Sequence, residues 1–140
     1  PVERGLTAKG WSTAPVTTLA SVIGRMEQAA TQFATARDAA LARGVTRAQR
    51  ESANSALLTV ERGFARDRGL KSRPWYRTLI YASDVDNGYS SMVFPGVNEA
   101  IRYGTEAETN EELSDLIARF VAAAKALDTA RAALEAPAPK

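Results

Sequence analysis

Three stretches of this chain carry apolar residues at spacings of three and four, the period of a helix with one buried stripe. The first is expected over about Thr18 to Ala42, with Leu19, Val22, Ile23, Met26, Ala30, Phe33 and Leu41 on one face. Pro15 and Thr17 precede it and Gly44 follows it, as start and stop signals should. The second is expected from Arg47 to Arg68, striped by Ala53, Leu57, Val60 and Phe64. Thr46 with Gln49 three residues on has capping-box spacing at its start, and Gly69 stops it. The third is expected from Asn110 to Glu135, opened by a Thr109–Glu112 capping box. Leu113, Leu116, Ile117, Phe120, Ala124, Leu127 and Leu134 line its face. Phe33, Phe64 and Phe120, one from each stripe, are expected to meet in one core. Small alanine positions let helices approach closely, so an all-α bundle with antiparallel neighbours is the natural packing.

The ends of the chain lack this period. "PVERGLTAKGWSTAP" is expected to be an irregular segment or linker over 1–16, with Trp11 packed down. The helical domain is then 17–135, and 136–140, "APAPK", is a flexible tail that cannot continue a helix. The chain opens Pro1-Val2-Glu3 without an initiator methionine or a signal-peptide pattern, which reads as a piece of a longer protein.

Between the second and third helices the pattern changes. "WYRTLIYAS" favours a strand, and Asn87-Gly88 is a strong hairpin-turn pair. Phe94-Pro95-Gly96 then introduces a short helix, with Pro95 in its first turn and Gly104 at its close. Loops longer than about 12–15 residues are usually functional or disordered. This one carries Trp75, Tyr76, Tyr81, Tyr89, Phe94 and Tyr103, so a packed, ordered crossover loop is expected.

Composition narrows the chemistry. Lys plus Arg number 18 and Asp plus Glu 16, a net charge of +2 that gives no electrostatic case for nucleic acid. No run of about 18 apolar residues is present to span a membrane, and no direct membrane contact is expected. Cysteine and histidine are both absent. That removes thiol chemistry and the residue most zinc sites and general-base mechanisms use. Glu108, Glu111, Glu112 and Asp115 read as helix-start charge on a solvated face. The isolated chain is therefore expected to hold no catalytic residue and no metal site.

Three readings of the central loop follow from its residues. "DVDNG" approaches a calcium loop, but from Asp84 the glycine comes one place early and position twelve is Pro95, so the reading fails. "RDRGLKSRPWYR" interleaves Arg66, Arg68, Lys71, Arg73 and Arg77 with Trp75 and Tyr76. Bases could stack there, or the cations could pair with carboxylates while the aromatics pack. The third reading is recognition of another protein surface or of a ligand held elsewhere.

The stretch "RPWYRTLIYASDVDNGYSSMVFPGVNEAI", flanked by the long helices, resembles the C-terminal transferrin-receptor-like dimerisation domain of glutamate carboxypeptidase-type zinc peptidases, the transferrin receptor and prostate-specific membrane antigen family. The matching segments are Arg73 to Ala82 for an R-P-[FW]-Y-R-x-[LV]-I-Y-A run, Asn87-Gly88-Tyr89 for N-x-Y, and Phe94-Pro95-Gly96. The resemblance extends over about Thr17 to Leu134. It implies a homodimer-forming helical bundle that leans one loop over the substrate pocket of an attached protease domain. Two zinc ions would sit in that separate domain. Tyr89 matches the family tyrosine that contacts the substrate's C-terminal residue, so Asn87, Gly88 and Tyr89 are the implied substrate-binding residues. Gly88 occupies the place of the family's lysine, a departure that bears on glutamate preference. Members often carry another helix ahead of the first long one, and 1–16 does not read as that helix. The parent is expected to be a zinc-dependent carboxypeptidase or dipeptidase, periplasmic or secreted. The alternative is an interaction or receptor-type module of a catalytically inactive peptidase homologue.

Overall fold

The computed structural model describes residues 1–137. Three residues of the expected tail, 138–140, lie outside the described residues. Helices dominate, as the apolar periods require: α1 Val2–Ala8, α2 Ala14–Arg43, α3 Arg47–Arg62, α4 Pro95–Tyr103 and α5 Glu106–Glu135. Two three-residue strands, β1 Tyr81–Ser83 and β2 Ser91–Val93, form an antiparallel hairpin in the central loop. The chain divides into two compact units. One holds Pro1–Ser21 and Phe64–Ala118, the other Val22–Gly63 and Arg119 onward.

The second unit is a three-helix bundle built on alanine. Ala29, Ala124 and Leu127 form one buried cluster with Met26, Phe33, Leu57 and Val60 against it. Ala40, Ala53, Ala130 and Leu134 form another, with Phe33, Val45 and Leu57 at its edge. Rising numbers in α2 match rising numbers in α5 and falling ones in α3, so α3 runs antiparallel to both. Ala29, Ala40, Ala53, Ala124 and Ala130 let the helices approach closely, and Phe33, Leu57, Leu127 and Leu134 fill the space between them. The stripe on α2 drifts from the expected one. Ala29, Ala36 and Ala40 are buried, whereas Leu41 is 66% exposed. A straight helix rotates about 20° per seven residues relative to a 3.5 repeat, so a face assigned from its start slips by its end.

Three helix boundaries differ from expectation, each for a local reason. Residues 1–16 are not irregular throughout, because Val2–Ala8 is helical with Val2 and Leu6 buried. Seven residues offer only one i, i+4 apolar pair, too little to register as a period. Trp11 donates its N–H to the Leu6 carbonyl and Gly10 donates to Thr7, closing the helix end. α3 stops at Arg62 rather than Arg68. Arg66 N–H instead bonds the Arg77 carbonyl at 2.8 Å and Leu79 N–H bonds Phe64 at 3.0 Å, pulling the chain into extended pairing. Phe64 therefore lies in a turn of the first unit, whereas Phe33 belongs to the second. α5 starts one turn early. Its capping box is Thr105–Glu108, with Thr105 N–H to Glu108 Oε2 at 2.9 Å and Glu108 N–H to Thr105 Oγ1 at 3.2 Å. The expected partners Thr109 and Glu112 have the same spacing one turn on. Thr109 is fully buried and bonds back to the Thr105 carbonyl. The Thr46–Gln49 box at the start of α3 forms in both directions as expected.

In the first unit α1 packs on α4. Gly5 faces Ile101 so closely that a Cβ there would lie 3.0 Å from Ile101 Cγ2. Leu70, Leu79, Ala82, Met92, Val97 and Leu113 are all buried, and the hairpin contributes its Ala82 and Met92 face to this core.

Candidate functional site

The hairpin that carries Asn87, Gly88 and Tyr89 is anchored from three sides. Its strands pair in the register Tyr81–Val93, Ala82–Met92 and Ser83–Ser91. Alternation then sends Ala82 and Met92 inward and leaves Tyr81 and Val93 exposed. On one flank, Arg73 donates to the Ser83 carbonyl at 2.8 Å and pairs with Glu99 of α4. Both side chains are nearly buried, at 11% and 8% exposure. Glu99 also accepts from Ser72 Oγ, and the Arg73 guanidinium stacks over Tyr76 at 4.7 Å. Tyr76 and Ser83 share a 2.7 Å hydroxyl hydrogen bond. On the other flank, Asn98 of α4 donates to the Val93 carbonyl at 2.7 Å. Below the hairpin, the buried Arg66 pairs with two partly buried carboxylates. Arg66 donates from Nη1 to Glu112 at 2.9 Å and to Asp115 at 3.2 Å, and from Nε to the Gly69 carbonyl at 3.0 Å.

Pairing ends at Ser83–Ser91, so the connection is longer than the two-residue turn that Asn87-Gly88 favours. Asp84 N–H still bonds the Ser90 carbonyl at 2.7 Å, and Gly88 N–H bonds the Asp84 carbonyl at 2.9 Å. The Asn87 side chain replaces the missing ladder, its Oδ1 accepting from Tyr89 N–H at 2.9 Å and Ser90 N–H at 3.1 Å. Gly88 has φ +70°, with open space where a side chain would go. Tyr89 is fully exposed at the tip.

Sequence reading missed the groups that fix this loop. Arg102, in the last turn of α4, donates from Nη2 to Asp84 at 3.1 Å and from Nη1 to Asp86 at 2.7 Å. Tyr103 donates its hydroxyl to Asp86. The Arg102 guanidinium, then the Asp86 N–H, hold the Asp84 carboxyl below its ordinary value. Asp84 in turn raises Arg102, and the bond to Asp86 raises the Tyr103 phenol. The acidic pair flanking Val85 was the available signal, but its partner lies 16–18 residues away.

Beside the hairpin root lies a cleft of about 530 Å³, lined by Leu70, Pro74, Gly96, Ala100 and Tyr103, with Arg68 and Lys71 at hand. The basic run of the loop is paired with carboxylates rather than left open as a groove. Besides Arg66 and Arg73, Lys71 pairs with Glu108, and Arg68 and Arg77 approach Glu112 and Asp67 at 3.9 Å. The Lys71 ammonium, then the Thr105 N–H, hold the Glu108 carboxyl below its ordinary value. The donor set does not suit zinc. Histidine and cysteine are absent, and Glu108, Glu112 and Asp115 already serve cations of the protein. No group of three or more metal-ligating side chains occurs among the described residues, and none of the described helices is long and apolar enough to cross a membrane.

The family model of the transferrin receptor-like dimerisation domain matches residues 15–128. The chain belongs to that family. Its Arg73–Ala82 run, its N-x-Y tip and its Phe94-Pro95-Gly96 turn are thereby elements of a dimerisation domain. Curated relatives match over shorter stretches. A protein named "Probable glutamate carboxypeptidase" from Arthroderma benhamiae is 40% identical over 50 residues, 36% of this chain and 7% of that protein. Another of that name from Arabidopsis thaliana is 44% identical over 48 residues, 34% of this chain and 7% of its own length. A protein named as an inactive zinc metalloprotease, from Schizosaccharomyces pombe, is 33% identical over 63 residues, 45% of this chain and 8% of the other. The matched segments thus span under a tenth of each of these relatives.

Proposed function

We propose that this dimerisation domain is the non-catalytic module of a glutamate carboxypeptidase-like zinc exopeptidase and that its hairpin supplies part of the substrate pocket. The parent would be an extracytoplasmic homodimer whose protease domain holds the two zinc ions. The observation that carries the reading is Tyr89, a fully exposed aromatic residue at the tip of a loop braced by ion pairs. An aromatic side chain in water is unfavourable, whereas a phenol presented to a partner offers a hydrogen-bond donor on an apolar ring. Tyr89 would donate to the carboxylate of the substrate's C-terminal residue, with Asn87 and Gly88 setting its direction.

Gly88 brings no ammonium to that pocket, so neutral or apolar C-terminal residues would be preferred over glutamate. Space at Gly88 is open, and a lysine fits there apart from its positive φ. In the full-length parent, Tyr89→Phe should lower kcat/KM across a dipeptide panel, and Gly88→Lys should shift preference toward C-terminal glutamate. An unmoved kcat/KM for Tyr89→Phe would reduce the loop to scaffolding, and a wild-type preference for glutamate would sink the specificity claim alone.

The relative named inactive favours a second reading, an interaction module on a protease-like domain without metal. Elemental analysis of the dialysed full-length protein separates the two. About two zinc ions per protomer support the peptidase, and none supports the inactive homologue.

A further inference from the structure

We propose that Arg102 is a positioning residue whose guanidinium, clamped between Asp84 and Asp86, sets the conformation in which the loop presents Tyr89. Only the functional consequence rests on the pocket reading above; the brace itself is a matter of geometry.

Arg102 stands on a fixed base. The helix that bears it buries Pro95, Val97, Glu99 and Ile101, and α1 packs against it. From that base the two Nη atoms reach both ends of a three-residue segment. Nη2 and Nη1 meet the two oxygens of Asp84 at 3.1 Å and 3.3 Å, and Nη1 also meets Asp86 at 2.7 Å. This two-pronged grip on one carboxylate suits a planar guanidinium and cannot be copied by an ammonium. The Tyr103 hydroxyl, from the next position, closes the second oxygen of Asp86.

The loop needs such a brace. Its strands are three residues long, and Asp86, Asn87, Gly88 and Tyr89 are all exposed. Its backbone bonds are Asp84 N–H to Ser90 and Gly88 N–H to Asp84, besides Asp86 N–H to the Asp84 carboxylate and the Asn87 side-chain contacts. Without the cation, two carboxylates two residues apart would repel at its root. Among the described residues the Tyr89 ring is fully exposed, so the loop sets its place.

The test is backbone 15N relaxation on the 140-residue chain. In the wild type, order parameters at Asp86 to Tyr89 should be near the rigid value of roughly 0.85, and in Arg102→Ala they should fall below about 0.6. Arg102→Lys should fall between, since it restores charge without the fork. Helical amides of α4 should not move. Unchanged values at the tip in Arg102→Ala, or a loss spread equally along α4, would overturn the proposal. Should Arg102→Ala fail to fold, Asp86→Asn keeps the shape and removes one charge, and it must show a loss confined to the same residues. An unmoved tip there overturns the proposal equally. Dipeptide kinetics of the full-length parent carrying Arg102→Ala then separate the two ideas. A raised KM with little change in kcat supports both. A loosened tip with unmoved KM, or no turnover in the wild type, keeps the brace and removes the pocket reading.

Discussion

Two glycines of the first unit, Gly69 and Gly88, have nearly the same backbone angle, φ +64° and +70°, and opposite surroundings. A methyl group at Gly69 would lie 2.0 Å from the Pro74 carbonyl oxygen and 2.5 Å from its carbon, whereas nothing lies within 4 Å at Gly88. Alanine at either site carries the left-handed cost of roughly 1–2 kcal/mol. At Gly69 the neighbouring group is backbone, and it belongs to a compact turn closed by Leu70 N–H to Tyr76 and Arg73 N–H to Leu70. That turn cannot rotate away as a side chain would, so a further overpacking cost of roughly 1–3 kcal/mol applies. Restricting the unfolded chain offsets both substitutions by a similar small amount, which cancels between them. Gly69→Ala should therefore destabilise by roughly 2–5 kcal/mol and Gly88→Ala by about 1–2 kcal/mol. Urea unfolding followed by tryptophan fluorescence reads the relevant unit, since Trp11 and Trp75 both lie in it. Equal costs within about 0.5 kcal/mol would refute the claim that close backbone approach, rather than φ, demands glycine at 69.

Arg66→Met should cost about 3 kcal/mol, because it leaves the nearly buried Glu112 with only the exposed Arg68 at 3.9 Å; a loss under about 1 kcal/mol in the same urea assay would contradict this. Asp84 and Glu108 are both held below their ordinary values of 3.8 and 4.5, so the stability they contribute is complete above those values and is lost as pH falls below them. Acid titration of the Asp84 amide shift should show its bond to Arg102 released only below pH 3.8, and release near pH 6 would mean that another group controls it.

The three long helices, the Thr46 cap, the Phe94-Pro95-Gly96 turn into α4 and the tip triad could all be read from the chain, because each depends on residues within one or two turns of one another. Periodicity, capping spacing and turn chemistry are local, and so survive folding unchanged. The resemblance carried by Arg73 to Ala82 added the family. What the sequence could not decide were choices between equivalent local options. Thr105–Glu108 and Thr109–Glu112 have identical spacing, and tertiary demands separate them: Glu112 is held by Arg66, which leaves the upstream box to start α5. Likewise, "ERGFARDRG" could continue α3, but burying the Arg66 guanidinium between Glu112 and Asp115 and pairing Ala65 with Thr78 draws it out of the helix. Asn87-Gly88 favours a two-residue turn, yet Arg102 holds Asp84 and Asp86 on one side and opens the loop. Each of these outcomes rests on a charge pair between residues 16 to 49 positions apart, and side chains that distant share no pattern along the chain until folding brings them together.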